Sequence, residues 1–196
     1  MERRKSNVIR GKYPDIIVYE APSFNILTND PSMTAWGWVV LNGKGEILDK
    51  GCIKTKTEGK KRRIRKSDET CQRIAEINQT LLSKIKEHKI SFLLTESPHG
   101  SQNASAAVMI GVVAAIMQTI SDCLEIPIEF YSEGDSKKCA LGKLSAEKKE
   151  MIARMRQIYG DKWLSGIKWR DEAIADALAI HYCASKNSTT LKLMKR

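Results

Sequence analysis

Residues 24–53 read FNILTNDPSMTAWGWVVLNGKGEILDKGCI, three β-prone runs separated by turn residues. The first run, Phe24–Asn29, leads into Asp30 and a proline, which places Asp30 at the C-terminal end of a strand. The other two runs, Trp36–Leu41 and Glu46–Ile53, flank a segment of Asn, Gly and Lys, which is a hairpin signal. These residues therefore predict an antiparallel meander of three strands.

Helices and strands alternate after the meander. Ser67 can cap a helix whose apolar residues, from Ile74 to Ile85, recur on one face. The other predicted elements are a strand at Ser91–Thr95, a helix at Asn103–Leu124, a strand at Ile128–Ser132 and helices at Ser145–Tyr159 and Asp171–Ser185. This order predicts an α/β fold with a mixed five-stranded sheet flanked by helices.

The chain is basic and long enough for one buried core. It has 196 residues, 42% of them hydrophobic, and 33 Lys and Arg against 23 Asp and Glu, a formal net charge of +10. We expect one domain at residues 23–186, preceded by a basic extension at 1–22 and followed by a basic, frayed tail at 187–196. The charge favours a polyanionic partner, although a basic surface can also serve solubility alone.

The cysteines and the apolar segments indicate a cytoplasmic protein. The five cysteines are scattered, without a Cys-x-x-Cys pair or a histidine at zinc-finger spacing, which favours a reducing compartment and disfavours structural zinc. The basic N-terminus lacks the apolar segment of a secretory signal. The longest apolar stretch, Ala104–Ile120, contains polar residues and is short for a bilayer span, so a buried helix is expected there.

Carboxylates stand at the ends of two predicted strands and on the last helix. Asp30 follows the first strand and Glu96 the fourth, while Glu172 and Asp176 are four residues apart and share a helix face. If the two strands are neighbours, these acids converge, and their mutual repulsion requires divalent cations. Oxygen ligands without a converging His or Cys favour Mg²⁺ or Mn²⁺ over zinc.

Each of these acids also has a purely structural interpretation. Asp30 before a proline can be a turn former, and Glu96 after an apolar strand can be a strand-end charge. Asp176 is harder to explain in that way, because it lies in the otherwise apolar run AIADALAI at residues 173–180. A carboxylate in such a run is disfavoured unless a partner or a metal accompanies it, so a functional role is favoured most strongly at Asp176.

Four segments, in order, resemble motifs of the RuvC-type Holliday junction resolvases, which are nucleases of the ribonuclease H-like superfamily. The segments are residues 26–39 (ILTNDPSMTAWGWV), 95–107 (TESPHGSQNASAA), 137–142 (KKCALG) with 146–151 (AEKKEM), and 176–179 (DALA). The second of them is most similar to the phage and plasmid relatives of the family. The resemblance spans residues 24–185, and it implies a ribonuclease H-like fold.

The resemblance also implies a function and a set of site residues. The family's activity is structure-selective cleavage of four-way DNA junctions by paired nicks, and a homodimer is expected because two symmetric cuts need two sites. Asp30, Glu96 and Asp176 would be the ligands of two Mg²⁺ ions, one activating water and the other stabilising the departing 3′ oxygen, with Mn²⁺ as a substitute. Lys148 corresponds to a lysine near the scissile phosphate; its structural alternative is a solvated lysine of the first helical turn.

The sequence departs from the family at one ligand position. The family usually has a further Asp or His three residues before the last Asp, and Ala173 occupies that position here. Glu172 is the expected substitute because it lies about one helical turn from Asp176, and Asp171 at the helix start is a second candidate. The gap motivates a rival hypothesis, a DNA-binding module with weak or no catalysis. Another rival is a related nuclease that acts on flaps, forks or RNA-containing hybrids.

Basic segments are expected to contact DNA. The run KKRRIRK at residues 60–66 lies on a predicted loop, and we expect backbone contacts from Lys60, Lys61, Arg62, Arg63, Arg65 and Lys66, and also from Lys137 and Lys138. A solvated loop or a localisation signal are the alternatives. Trp36 and Trp38 are expected to pack in the core rather than to stack on bases. The expected partner is branched DNA, in the nucleoid of a bacterial or phage-infected cell.

Overall fold

The computed structural model describes residues 23–57, 64–97, 100 and 103–195. Its five strands are β1 (Asn25–Asp30), β2 (Ala35–Asn42), β3 (Ile47–Lys54), β4 (Ile90–Glu96) and β5 (Ile128–Tyr131). Its six helices are α1 (Lys66–Glu87), α2 (Ala104–Leu124), α3 (Glu133–Leu141), α4 (Lys148–Tyr159), α5 (Lys168–Asn187) and α6 (Thr189–Met194).

The strands form one mixed sheet in the order β3-β2-β1-β4-β5. β1 pairs antiparallel with β2, and β2 with β3, so the predicted meander is confirmed. β4 lies parallel to both β1 and β5. The predicted α/β class with a mixed five-stranded sheet is therefore correct, and the C-terminal ends of β1, β4 and β5 share one edge of the sheet.

The alternation of side chains along the strands decides which residues face which layer of helices. Leu27 and Leu93 pack with α1 and α2 on one face, where Trp36 and Trp38 are also buried, as expected for core residues. Ile26 and Leu94 face the opposite side, where they pack against α5. Because successive side chains point to opposite faces, Asp30 and Glu96 also lie on the α5 side.

Two helices were not predicted from the sequence. Helix α3 begins with a capping box between Ser132 and Asp135 and ends at Gly142, which has a left-handed backbone with φ 73°. Helix α6 lies in the segment that was expected to fray, and that expectation is wrong because Ser188 caps α6 and Leu191 is buried. The bounds of α4 and α5 each differ from the prediction by three residues at the N-terminus.

Helix α2 is only partly buried, which corrects the expectation of a buried helix. Its inner face carries Val113, Ile116, Met117 and Ile120 against the sheet. In the most apolar part of the helix 28% of the residues are buried, and the side chain of Val108 is 61% exposed. By length and composition alone α2 could cross a membrane, but its buried face makes it part of the core of this fold.

Candidate active site

The ends of β1 and β4 place two carboxylates side by side. The parallel register pairs Asn29 with Thr95, so the next residues, Asp30 and Glu96, follow at adjacent strand ends. Asn29 fixes this edge: its side chain donates to the Leu94 carbonyl at 3.4 Å and accepts the indole N–H of Trp36 at 3.1 Å. Both groups are buried, so the bonds hold the strand ends in a defined geometry.

Helix α5 brings Asp176 over this edge. The hydroxyl of Thr28 donates to the Ala177 carbonyl at 2.8 Å, and both groups are buried, which ties the helix to β1. The helix also touches β2, where a Cβ added to Gly37 would lie 2.2 Å from the Ala173 carbonyl oxygen. Gly37 is the register partner of Asp30. Only a glycine permits this close approach, which sets α5 above the strand that carries Asp30.

Burial and mutual repulsion raise the pKa values of the three acids. Burial raises the pKa of Glu96 to about 7, and the charges of Asp176 and Glu133 add to the effect. Burial raises the pKa of Asp176 to about 6, where Lys148 opposes and Glu133 and Glu172 reinforce the rise. Burial, and then Asp176 and Glu96, also raise the pKa of Asp30 well above its usual value. These acids therefore share one electrostatic site.

Lys148 lies at the start of α4 and faces the acids. Its Nζ is 3.7 Å from Glu172 Oε2 and 3.8 Å from Asp176 Oδ2, and its side chain is 64% exposed. Burial alone would lower its pKa, but Asp176, Glu172 and Asp30 together raise it. The ammonium group is therefore a charged partner of the acidic site with an open side towards solvent.

The structure separates the two candidates for the fourth carboxylate. Asp171 is buried, and its carboxylate accepts hydrogen bonds from the backbone N–H and hydroxyl of Ser165 at 2.7 and 2.6 Å and from the Gly166 N–H at 3.2 Å. Its carboxylate therefore stabilises the loop before α5. Glu172 points instead towards Lys148, on the side of Asp176. Of the two residues, Glu172 alone contributes to the electrostatics of that site.

Glu133 is a site residue that the sequence analysis missed. It is the first residue of α3, directly after β5, and its charge raises the pKa values of Glu96 and Asp176. Its Oε1 is 2.5 Å from the Nζ of Lys137, one turn later. The signal was available, because Glu133 follows a predicted strand as Asp30 and Glu96 do.

The basic residues predicted to bind DNA are placed unequally. Lys60, Lys61, Arg62 and Arg63 lie outside the described residues. Arg65 forms an ion pair with Asp68 at 2.8 Å, and Lys66 and Lys138 are exposed. Lys137 faces Glu133 and lowers the pKa values of Glu96 and Asp176, so it belongs to the rim of the acidic site.

The donor set suits a hard divalent cation. Among the described residues, the groups that shift the pKa values of Asp30, Glu96 and Asp176 are carboxylates and lysines, and oxygen donors match Mg²⁺ or Mn²⁺. A separate cluster of Asp49, Glu87 and His88 has the spacing of a metal site. In that cluster, however, the ammonium group of Lys84 stands where a cation would bind, between the carboxylates of Asp49 at 2.8 Å and Glu87 at 2.9 Å. The strand-edge cluster is therefore the better candidate.

Sequence comparison points to a single family. The model of the family described as crossover junction endodeoxyribonuclease RuvC matches residues 26–184. The RuvC protein of Parvibaculum lavamentivorans is 27% identical over 161 residues, which cover 82% of this chain and 86% of the relative. The RuvC protein of Shewanella woodyi is 26% identical over 169 residues, covering 85% of this chain and 89% of the relative.

Solved structures share the fold. RuvC of T. thermophilus, solved in complex with a Holliday junction substrate, superposes with a TM-score of 0.65 at 18% identity, covering 83% of this chain and 93% of that one. The yeast mitochondrial Holliday junction resolvase Ydc2 superposes with a TM-score of 0.61 at 10% identity, covering 87% of this chain and 81% of that one. At these identities the similarity establishes the fold.

Proposed function

Because the chain belongs to the family of RuvC crossover junction endodeoxyribonucleases, we propose that it resolves four-way DNA junctions by metal-dependent hydrolysis of phosphodiester bonds. The observation that carries the proposal is the convergence of Asp30, Glu96 and Asp176 from three different elements. Burial and the neighbouring carboxylates raise the pKa values of all three, so a bound divalent cation would favour their charged forms.

These three carboxylates and Glu172 would hold the metal, and we assign them two Mg²⁺ ions per site, replaceable by Mn²⁺. Bound ions supply Lewis-acid chemistry, activating water and stabilising the leaving 3′ oxygen. Lys148 would bind a non-bridging oxygen of the scissile phosphate, because its Nζ stands beside Asp176 with an open side to solvent. The same ammonium group lies 3.7 Å from Glu172 and 3.8 Å from Asp176, so it offsets part of their negative charge.

Basic residues around the site would supply affinity. We assign phosphate contacts to six residues of the basic run 60–66 and to the exposed Lys138; the six are Lys60, Lys61, Arg62, Arg63, Arg65 and Lys66. Such contacts add affinity without sequence preference. A junction nuclease acts where the DNA is, so we infer a cytoplasmic enzyme associated with the nucleoid.

The exposed side of α2 would hold a second copy of the chain. Ala104, Val108, Gly111 and Ala115 are exposed on it, and this apolar face continues for three turns along the helix. Paired nicks across a junction require two active sites in a fixed relation, which a two-fold homodimer provides. Light scattering should give a dimer for the wild type and a monomer for Val108→Glu. A monomeric wild type, or a dimeric variant, would rule out this interface.

Cleavage of synthetic DNA tests the activity itself. Four-way junctions, three-way junctions, flaps and linear duplexes are incubated with the protein and Mg²⁺ or EDTA. We expect paired nicks in the four-way junction that require Mg²⁺. Equal or greater cleavage of flaps or forks would identify the related nuclease instead, and junction binding without cleavage at any Mg²⁺ or Mn²⁺ concentration would identify a DNA-binding module.

Inactive variants tie that cleavage to the site. Asp30→Asn and Asp176→Asn should lose cleavage and keep junction binding, because the basic surface is unchanged. Asp161→Asn is the matched control, since it removes an exposed carboxylate that pairs with Arg156 on α4. Full activity in Asp30→Asn would remove this residue from the site and with it the proposed chemistry.

A further inference from the structure

Glu133 stands at the third strand end of the acidic edge. β5 pairs parallel with β4, and the register places Tyr131 opposite Glu96. The pairing continues one residue further, where the Ser97 N–H donates to the Tyr131 carbonyl at 2.7 Å. Glu133 is two residues beyond Tyr131, so the backbone brings this residue to the edge occupied by Asp30 and Glu96.

Two contacts fix the helix that carries Glu133. The capping box joins Ser132 and Asp135, whose side chain and backbone groups bond reciprocally in the first turn of α3. The Cys183 thiol of α5 donates to the Asp135 carbonyl at 3.7 Å, so α3 is seated on the helix that carries Asp176. Glu133 is therefore held by the fold between the ends of β4 and β5 and helix α5.

The acidic site consequently has two similar flanks. On the α4 side, Glu172 is paired with Lys148 at 3.7 Å, and on the β5 side, Glu133 is paired with Lys137 at 2.5 Å. Asp176 lies within the electrostatic reach of all four of these groups. Each flank thus offers one glutamate that a lysine neutralises in the absence of metal.

We propose that Glu133 is a metal ligand on the β5 side of the site, and that it adds a fifth carboxylate to those of Asp30, Glu96, Asp176 and Glu172. The inference rests on the proposed function, because it assumes that the cluster of Asp30, Glu96 and Asp176 binds divalent cations. Glu172 then completes the α4 flank and Glu133 the β5 flank. When a cation binds, each lysine would lose its ion pair with the glutamate and could then contact a phosphate.

Metal binding to the full-length protein tests this role directly. Apoprotein is titrated with Mn²⁺, and bound ions are counted by electron paramagnetic resonance and by calorimetry, without DNA. The wild type should bind two ions, and Glu133→Gln should weaken one of them by about tenfold or more while the other is retained. Asp161→Asn is the matched control and should bind both ions as the wild type does.

The same titration can overturn the proposal. Wild-type affinity for both ions in Glu133→Gln would show that Glu133 is not a ligand. The Glu133 side chain is 45% exposed, so neither Glu133→Gln nor Glu133→Ala should disturb folding, and both should give the same loss. Asp30→Asn separates this result from the wider function: if Asp30→Asn binds Mn²⁺ and cuts junctions normally, the proposed site fails whatever Glu133 does.

Discussion

Replacing Glu96 with Gln is expected to stabilise the metal-free protein at alkaline pH, although it should abolish cleavage. Burial, followed by the charges of Asp176 and Glu133, raises the pKa of Glu96 from 4.5 to about 7. The folded protein therefore holds a proton on Glu96 that the unfolded chain has already released between these pH values. Its free energy of unfolding consequently falls as pH rises through this window, and the whole penalty is present above it.

The magnitude follows from the same values. At about 1.36 kcal/mol per pKa unit, the difference between 4.5 and about 7 corresponds to about 3 kcal/mol. This is an upper bound, because Glu96 is only half-buried and its repulsion is shared with two other acids. We expect Glu96→Gln to raise the free energy of unfolding by roughly 1–3 kcal/mol at about pH 8, and by much less at about pH 5.

Urea denaturation in EDTA measures this difference. Asp161→Asn serves as the control, because its carboxylate is exposed and pairs with Arg156, so its removal should bring no stabilisation. Saturating Mg²⁺ should reverse the order of stability, since cation binding stabilises the wild type more than Glu96→Gln. If Glu96→Gln is no more stable than the wild type in EDTA at about pH 8, the acids do not repel one another as inferred.

Three further perturbations address other parts of the molecule. Glu172→Gln should lower the cleavage rate by about tenfold or more. Asp171→Asn should leave that rate intact but lower the free energy of unfolding by about 2 kcal/mol, because the loop before α5 loses charge-assisted hydrogen bonds. The reverse pattern in cleavage rates and urea melts would make Asp171 the ligand. Burial lowers the pKa of His181 to about 4, so the free energy of unfolding falls by up to about 3 kcal/mol as pH falls from 6.5 towards 4. His181→Gln should remove this pH dependence of the free energy of unfolding, as measured by urea melts. An unchanged pH dependence would contradict the assignment. Neutralising Arg62, Arg63 and Arg65 should weaken binding to every DNA shape and flatten its salt dependence by about 0.9 per lost contact. An unchanged log-log slope would show that these residues do not contact DNA phosphates.

The elements that position the site could be predicted because their signals are local. Asp30 and Glu96 each follow a β-prone run shortly before a proline, which places both of them at strand ends. Asp176 stands out as an acid in an apolar helix. What the sequence does not contain is the order of the strands, and only the parallel pairing of β1 with β4 makes neighbours of the two strand-end acids.

The missed features have weaker local signals. Helix α3 has no sustained apolar face, because its nine residues, EGDSKKCAL, are mostly polar, so the capping box was its only marker. Glu133 was missed with it, although its position directly after the predicted strand Ile128–Ser132 was a usable signal. The exposed side of α2 could not be predicted from hydropathy, because an apolar helix reads the same whether the fold or a second copy covers it. The different roles of Asp171 and Glu172 depend on side-chain direction at a helix start, which sequence spacing does not give.

Ala173 connects the packing of the fold with the distribution of its acids. A Cβ on Gly37 would lie 2.9 Å from the Ala173 Cβ, so residue 173 sits where helix α5 and strand β2 touch. A carboxylate at 173 would enter this contact beside Asp30, the register partner of Gly37, and would have to be neutralised there. Glu172 and Glu133 instead stand at the two flanks, each beside a lysine. With these acids at the flanks, the close helix–strand contact can fix the geometry of Asp30 and Asp176. The two glutamates can pair with lysines until a cation takes the place of each ammonium group.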